Sequence, residues 1–207
     1  NRCYSSIELA RKYDNVRFQC ILGEENSMRD LQLPGRSPVI TSNGMVSTSQ
    51  PLSTSAALTV LKDGGNAMDA ALAACAVQAV VEPASTGIGG DCFCLYAPAD
   101  SPDIIAINGS GRAPQALNTE LLLSQGITKI EQQSAHSVTV PTAVDAWVQL
   151  NRDYGTMPLA DLLQPAIGYA DDGFPVAQRS AFDFAGCLAL LKGDADASDV
   201  FLKAGQT

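Results

Sequence analysis

The sequence predicts a layered α/β domain, and three observations lead to that fold class. Short runs of β-forming residues alternate with apolar helical segments, so two strand pairs are expected among the helices. The chain has 207 residues, of which 46% are hydrophobic and 17% are charged, as in an ordinary globular protein. That length suffices for one domain with a substantial buried core. Residues 1–36 are expected to be a polar, irregular leader, and residues 37–207 the ordered domain.

The first ordered elements are a short strand and two helices. Met45–Ser49 is the expected strand, and a helix from Pro51 to Lys62 follows it, with Ser49 as its N-cap. Gly64–Gly65 ends this helix because glycine adopts left-handed backbone conformations at little cost. A second helix, Asn66–Val81, is apolar around nearly its whole circumference, so it is expected to be buried between layers.

Several individual residues in and near the second helix have predicted roles. Asp69 lies in its first turn, where an anion interacts favourably with the helix dipole. Pro83 terminates it. Cys75, together with Cys92 and Cys94, is expected to act as a small buried hydrophobe. The alternatives, disulfides or a zinc site, are less favoured because residues two apart on a strand pair poorly and the chain has one histidine.

Two glycine-rich loops flank a predicted strand pair. The first, Gly87–Gly90, leads into the strand Cys92–Tyr96, and a turn rich in Pro and Asp joins that strand to Ile104–Ile107. The first loop lacks the Lys-Ser/Thr that completes a phosphate loop, so close packing is its expected role. The second loop, Asn108–Pro114, leaves the end of a strand, where loops commonly carry binding groups on a rigid scaffold.

The rest of the chain is mainly helical. One more strand is expected at Ser137–Val140, with His136 at its edge. The predicted helices are Thr119–Ser124, Ala143–Arg152, Leu159–Asp171 and Arg179–Leu191.

The charge and the apolar pattern argue against several classes of partner. The chain carries 22 acidic and 13 basic residues, a net charge of −9, without a basic cluster, so nucleic acid is not expected to bind. The longest apolar run, Ala70–Val81, is shorter than the roughly 20 residues of a membrane helix. No signal-peptide core is present, which slightly favours the cytoplasm but leaves the compartment open. No cofactor and no metal are predicted.

A collinear set of motifs resembles the large subunit of the gamma-glutamyltransferase (glutathione hydrolase) family. The set extends from about Asn43 to Ser180 and keeps the family's order. Its members are Gly44-Met45-Val46, Pro51-Leu52, Gly64-Gly65-Asn66-Ala67, Asp69-Ala70, Val81-Glu82-Pro83, Gly87-Ile88-Gly89-Gly90, Ala113-Pro114, Val140-Pro141, Tyr154-Gly155, Leu163, Pro165-Ala166 and Gly173-Phe174.

This resemblance implies an N-terminal nucleophile hydrolase fold, a four-layer α-β-β-α sandwich, of which this chain is a large-subunit segment. Family members are proenzymes that undergo autocatalytic cleavage into a large and a small subunit. The new N-terminal threonine of the small subunit attacks a gamma-glutamyl or other amide, and the acyl group passes to water or to an acceptor amine.

The same resemblance implies that the catalytic nucleophile is not in this sequence. Thr207 is the last residue and has no free α-amine. We therefore expect a truncated large subunit that is inactive alone, with the small subunit of the same precursor as its partner and a small-molecule amide as its substrate.

The implied substrate-binding residues lie in the second glycine-rich loop. The family's arginine, in an Arg-Glu-x-Ala-Pro pattern, pairs with the substrate α-carboxylate through its planar guanidinium. Aligned on the Ala-Pro pair, the arginine position holds Ser110 and the glutamate position holds Gly111, whereas Arg112 lies two positions later. The local form resembles the acylase-like or amidohydrolase-like branch, which implies a small or non-glutamyl amide. Arg112 and Ser110 are the candidate binding residues, and a surface salt bridge is the alternative role for Arg112.

Two further positions depart from the family pattern, and two rival functions remain. Asp91 and Thr142 stand where many relatives have glycine, and the sequence assigns neither a role. A non-catalytic family member or scaffold is favoured by Ser110 and by the missing nucleophile. A carbohydrate- or phosphate-binding module would use the glycine loops, but the chain has no aromatic platform or basic cluster to support it.

Overall fold

The ordered elements follow the predicted helices closely and the predicted strands in part. A computed structural model describes residues 38–99 and 101–202, so the expected leader, residues 1–36, lies outside the described residues. The chain divides into two units after Ile40, and the elements within the described residues belong to the second, Thr41–Thr207. In chain order they are helices α1 (Pro51–Lys62) and α2 (Ala67–Val81), strands β1 (Cys92–Tyr96) and β2 (Ile105–Gly109), helix α3 (Thr119–Ser124), a 3-10 turn (Ala135–Ser137), and helices α4 (Ala143–Tyr154), α5 (Leu159–Asp172), α6 (Gln178–Lys192) and α7 (Ala195–Phe201).

Side-chain caps and a glycine set the boundaries of α1 and α2. Gln50 caps α1, since its side-chain oxygen accepts hydrogen bonds from the Leu52 and Ser53 amides. The prediction that Ser49 is the cap is therefore wrong, because its hydroxyl instead donates to Glu82 Oε2 at 2.5 Å. Gly64 adopts a left-handed conformation with φ of +95°, as the stop signal predicted.

Helix α2 lies at the centre of the core and packs against α1, α4 and α5. The Ser53 hydroxyl of α1 donates to the Ala74 carbonyl of α2 at 2.8 Å, a close approach that small side chains permit. The residues that form the core are Ala56, Ala57, Val60, Met68, Ala70, Leu72, Ala73, Ala74, Ala76, Val77, Val81, Trp147, Leu150, Leu162 and Ala166.

One face of α2 differs from the prediction of burial on all sides. Ala67, Ala71 and Cys75 follow one another at four-residue intervals and are exposed, so Cys75 is not the buried hydrophobe that its apolar neighbours predicted. A groove of about 670 Å³ separates this face from residues 43–49. The reason is that the described residues provide a covering layer on the other faces of α2 but only this single extended segment here.

The sheet has two antiparallel strands, with Cys92 opposite Gly109 and Tyr96 opposite Ile105. Cys92, Cys94 and Tyr96 face the helices and are half-buried, whereas Phe93 and Leu95 on the opposite face are 68% and 79% exposed. Helix α4 packs against both strands. This antiparallel pair with helices on one face is a mixed helix and sheet fold, as the sequence predicted in outline. The described residues form one strand pair where the sequence predicted two.

Two predicted strands, Met45–Ser49 and Ser137–Val140, do not form within the described residues. Met45–Ser49 is extended and alternates between exposed and half-buried positions, but it makes no backbone–backbone hydrogen bond to any described residue. A strand requires such a partner as well as β-forming side chains. Ser137 belongs to the 3-10 turn, which also contains His136, so the expected strand-edge position of that histidine is wrong.

The remaining helices match their predictions to within two residues at each end, except for α7, which the sequence analysis missed. The buried residues of α4 recur at helical spacing, with Ala143, Ala146, Trp147 and Leu150 facing the core. Across residues 38–99 and 101–202, no helix has both the length and the apolar character of a membrane span.

Candidate functional site

The backbone of residues 109–112, here called the binding loop, is held at every residue. The Gly109 carbonyl accepts a hydrogen bond from Thr142 Oγ1 at 2.6 Å. The Ser110 amide donates to Asn108 Oδ1 at 3.0 Å, and the Gly111 amide donates to Asp91 Oδ1 at 3.2 Å. The Arg112 carbonyl accepts from the Val140 amide at 3.0 Å. The loop is therefore fixed by the adjacent Asn108 and by two distant segments of the chain, one at Asp91 and the other at Val140–Thr142.

The two glycines of the binding loop are required by close packing. A Cβ on Gly111 would lie 1.8 Å from the Val140 carbonyl oxygen, and one on Gly109 would lie 2.7 Å from both the Cys92 carbonyl and the Ala146 side chain. Such distances are far inside van der Waals contact, so no side chain fits at either position. The sequence predicted a glycine-rich loop here, and the reason for its glycines is this approach to Val140 and β1.

Ser110 and Arg112 both project from this fixed backbone with exposed side chains. Among the described residues, no carboxylate lies within 4 Å of the Arg112 guanidinium, and three other cations are paired: Lys129 with Glu131, Arg152 with Asp153 and Arg179 with Asp183. Lys62 and Lys192 lie in the last turns of α1 and α6, where a cation complements the helix dipole. Among the described Lys and Arg residues, Arg112 alone has neither an ion pair nor a place in the last turn of a helix, which argues against the salt-bridge alternative.

Asp91 and Thr142, whose roles the sequence left open, both contact the binding loop. Thr142 also joins the first glycine-rich loop to the start of α4, because its amide and that of Ala143 donate to the Gly90 carbonyl at 3.3 and 3.0 Å. These contacts bring together Gly90–Asp91, the binding loop and Thr139–Ala143. The sequence could not predict this, since the hydrogen bonds that join these segments link residues between 20 and 53 positions apart.

The first glycine-rich loop, Gly87–Gly90, is more open than the sequence predicted. A Cβ added at Gly87 or Gly89 would meet no described atom within 4 Å, and neither residue has a positive φ. Close packing inside the described part of the chain therefore does not explain these glycines.

The four cysteines that the structure describes and His136 do not assemble a second site. Desolvation raises the pKa of the half-buried Cys92 and Cys94 thiols. A thiol with a raised pKa is neutral near pH 7, so it is a poor nucleophile. Within the described ranges, no three His, Cys, Asp or Glu side chains converge in the way that a metal ion needs.

A buried carboxylate, Asp69, organises the other end of the fold. It forms a capping box with Asn66 at the start of α2, each side chain accepting from the other residue's amide at 2.9 Å. It also accepts from the Thr156 amide at 3.0 Å, from the Thr156 hydroxyl at 2.6 Å and from the Met157 amide at 3.3 Å. Burial raises the pKa of Asp69, but the hydrogen bonds from Thr156, Asn66 and Met157 together outweigh it and hold the pKa below its usual value.

These elements and loops resemble one group of known enzymes. Residues 53–207 match the family described as gamma-glutamyltranspeptidase. The chain is 36% identical over 169 residues to a glutathione hydrolase-like YwrD proenzyme of Bacillus subtilis, and 37% identical over 173 residues to an oxamate amidohydrolase proenzyme of Klebsiella pneumoniae. Each alignment covers 81% of this chain and 32% of the relative. The chain thus spans about a third of the length of these curated relatives.

Solved structures give the same result. A cephalosporin acylase from Bacillus halodurans superposes with a TM-score of 0.79 at 38% identity, covering 87% of this chain and 35% of that one. A gamma-glutamyltranspeptidase from Helicobacter pylori superposes with a TM-score of 0.75 at 30% identity, covering 82% of this chain and 49% of that one. The chain therefore belongs to the gamma-glutamyltranspeptidase family, in the branch that has acylase-like relatives.

Proposed function

We propose that this chain is the scaffold and substrate-binding segment of a self-processing amide hydrolase or gamma-glutamyltransferase. The N-terminal threonine nucleophile of that enzyme lies in a downstream small subunit. The observation that carries the proposal is Arg112, an exposed guanidinium without a described ionic partner on a loop whose backbone is held at every residue. Relatives named as glutathione hydrolase-like, oxamate amidohydrolase and acylase proenzymes support amide chemistry.

The proposed reaction has two steps. The threonine hydroxyl attacks the amide carbon, its proton passes to the free α-amine, and the departing amine is released as the acyl-enzyme ester forms. Water or an acceptor amine then attacks the ester and regenerates the threonine. In this scheme Arg112 binds the carboxylate end of the substrate through two parallel N–H···O bonds, and Ser110 adds a single hydrogen bond.

Two uncovered surfaces support the proposed small-subunit partner. The outer face of the sheet exposes Phe93 and Leu95, and the extended segment Met45–Ser49 has backbone groups without a described backbone partner. No charged residue occurs from Met45 to Ser49, whereas an edge strand that meets water usually carries a charge or a proline. We propose that the small subunit pairs with this segment and covers the sheet, which would complete the four-layer α-β-β-α sandwich.

The test uses the complete, self-processed enzyme and two pairs of matched substrates. Oxamate is compared with uncharged oxamide by ammonia release. Gamma-glutamyl-p-nitroanilide is compared with 4-aminobutanoyl-p-nitroanilide, which lacks the α-carboxylate. Whichever pair the enzyme hydrolyses, Arg112→Lys should lower kcat/KM for its carboxylate-bearing member. The lost transition-state stabilisation should be about 1.5–3 kcal/mol, because an ammonium cannot reproduce the bidentate fork.

Arg179→Lys is the matched control, because Arg179 pairs with Asp183 on the exposed side of α6. This substitution should leave kcat/KM unchanged for both members of each substrate pair. Native kinetics in Arg112→Lys on a carboxylate-bearing substrate would remove Arg112 from the substrate site. A correctly processed protein that hydrolyses none of the four compounds would contradict the proposed substrate class, whereas a full-length protein that fails to process itself would favour the non-catalytic scaffold.

A further inference from the structure

We propose that Asp91 and Thr142 are positioning residues that hold the binding loop on both sides of Ser110 and so fix the direction in which Arg112 leaves the backbone. This inference rests on the proposed role of Arg112 in binding substrate carboxylate. It adds two specificity-determining residues that do not themselves touch the substrate.

The contacts of the two residues are complementary. Asp91 Oδ1 accepts from the Gly111 amide at 3.2 Å, and the Thr142 hydroxyl donates to the Gly109 carbonyl at 2.6 Å. Asp91 therefore satisfies the N–H donor of Gly111 and Thr142 satisfies the carbonyl acceptor of Gly109, and these two glycines flank Ser110. Gly109 and Gly111 have the greatest backbone freedom in the segment, so a loop containing them needs outside contacts to keep one conformation.

The Thr142 side chain contacts the binding loop and does not cap its own helix. It occupies the N-cap position of α4, where a threonine oxygen normally accepts from an amide of the first turn. No such side-chain bond is formed here. The one side-chain hydrogen bond that Thr142 makes to a described residue is donated to the Gly109 carbonyl, 33 residues away in the chain. A residue needed only to start α4 would not be expected to use its hydroxyl in this way.

Rigid placement of Arg112 has a direct consequence for specificity. A guanidinium fork recognises a carboxylate bidentately only when its plane is correctly oriented, and immobilising the loop beforehand removes that entropic cost from binding. Loss of either contact should therefore raise KM for a carboxylate-bearing substrate more than it changes kcat, and it should hardly affect an uncharged analogue.

The experiment compares removal of each hydrogen bond with its conservative replacement in the complete enzyme. Asp91→Ala and Thr142→Val remove the acceptor and the donor, whereas Asp91→Asn and Thr142→Ser keep an oxygen in each place. The readouts are the ratio of kcat/KM for oxamate to that for oxamide, or the corresponding anilide ratio, and the hydrogen–deuterium exchange rate of the Gly111 amide. Asp103→Ala, an exposed carboxylate in the β1–β2 turn, is the control.

We expect the ratio to fall about three- to tenfold in Asp91→Ala and Thr142→Val, mainly through KM, which is the effect of one hydrogen bond. Gly111 exchange should accelerate by a similar factor in Asp91→Ala. Asp91→Asn and Thr142→Ser should recover most of both properties. If Asp91→Ala blocks self-processing, the Thr142 pair makes the same comparison from the other side of the loop.

Two results would overturn the proposal. One is an unchanged ratio in both Asp91→Ala and Thr142→Val while Arg112→Lys lowers it, since Arg112 would then act without positioning. The other is an equal fall of the kcat/KM ratio in Asp91→Asn and Asp91→Ala, which would mean that the negative charge of Asp91, and not its hydrogen bond to Gly111, causes the effect. An unchanged ratio in Arg112→Lys itself contradicts the proposed function, so the two failures are distinguishable.

Discussion

Replacement of Asp69 by Asn should destabilise the fold far more than its small change in size suggests. Asp69 is fully buried, and its two oxygens accept hydrogen bonds from Asn66, Thr156 and Met157. An asparagine keeps one of those oxygens and presents an NH₂ group where the other stood. At least two of these partly buried donors would then face a donor.

The magnitude follows from the number of donors left unsatisfied. A buried donor that loses its acceptor costs about 1–3 kcal/mol, and these donors are partly buried, so we take about 1–2 kcal/mol for each and roughly 2–4 kcal/mol for two. For a domain of this size, each kcal/mol lowers Tm by about 2–4 °C, so a fall of about 10 °C is expected. The backbone at Gly155 approaches the carboxylate closely, since a Cβ added there would lie only 2.9 Å from Asp69 Oδ1.

The assay is thermal and urea unfolding followed by circular dichroism between pH 3 and pH 8. Because the folded pKa of Asp69 lies below its usual value of 3.8, the carboxylate stabilises the fold fully at pH values above the unfolded pKa. That contribution is lost as pH falls through the folded pKa. The difference between wild type and Asp69→Asn should thus be constant from about pH 5 to pH 8 and narrow below about pH 4.

Asp63→Asn is the matched control, because Asp63 is exposed at the end of α1. It should change Tm by no more than about 1 °C. An Asp69→Asn protein that melts within 2 °C of wild type at pH 7 would refute the reasoning, as would a difference that grows towards acid pH.

Three further predictions concern the core, the loop and the isolated chain. Ala74→Asp buries a charge without a partner and should cost several kcal/mol by urea unfolding, whereas Ala71→Asp on the open face of the same helix should cost little. Gly111→Ala should displace Val140 or the binding loop and lower Tm by several degrees, whereas Gly87→Ala should leave it unchanged. The purified 207-residue chain should release neither p-nitroaniline from gamma-glutamyl-p-nitroanilide nor ammonia from oxamate, and turnover that survives stringent purification would contradict the assignment of the nucleophile to another segment.

The helices were predictable because their signals are local. Pro51, Gly64, Asn66 and Pro83 each act on the backbone within a few residues, so the bounds of α1 and α2 followed from the sequence almost without error. The N-cap of α1 was wrong for an equally local reason. The longer side chain of Gln50 folds back onto the first turn, where a serine one residue earlier was expected to serve.

The strands and the clustered loops depended on partners that a local pattern does not contain. Met45–Ser49 has the residues and the alternating burial of a strand but no described backbone partner, so β-propensity alone gave the wrong assignment. Asp69 illustrates the same limit in the core. Its place in the first turn of α2 predicted a favourable dipole interaction, but its bonds to Thr156 join residues 87 positions apart. Ser110 and Arg112 could be selected by their resemblance to a motif, whereas the roles of Asp91 and Thr142 required the folded contacts.

The exposure of Arg112 sets a limit on what this chain can do alone. An ion pair formed in water is worth only about 0–1 kcal/mol, because solvent screens it and two flexible groups must be ordered. The binding loop removes part of the ordering cost on the protein side, since its backbone is already held by Asp91, Thr142 and Val140. The loop does not, however, exclude water from the guanidinium.

A covering subunit that excluded solvent from the loop would lower the effective dielectric constant and strengthen the same guanidinium–carboxylate contact several-fold. We therefore expect carboxylate binding by this chain alone to be weak, with a Kd in the millimolar range or above by titration calorimetry, and to tighten on assembly. Equal affinity in the isolated chain and the assembled enzyme would place the carboxylate site elsewhere.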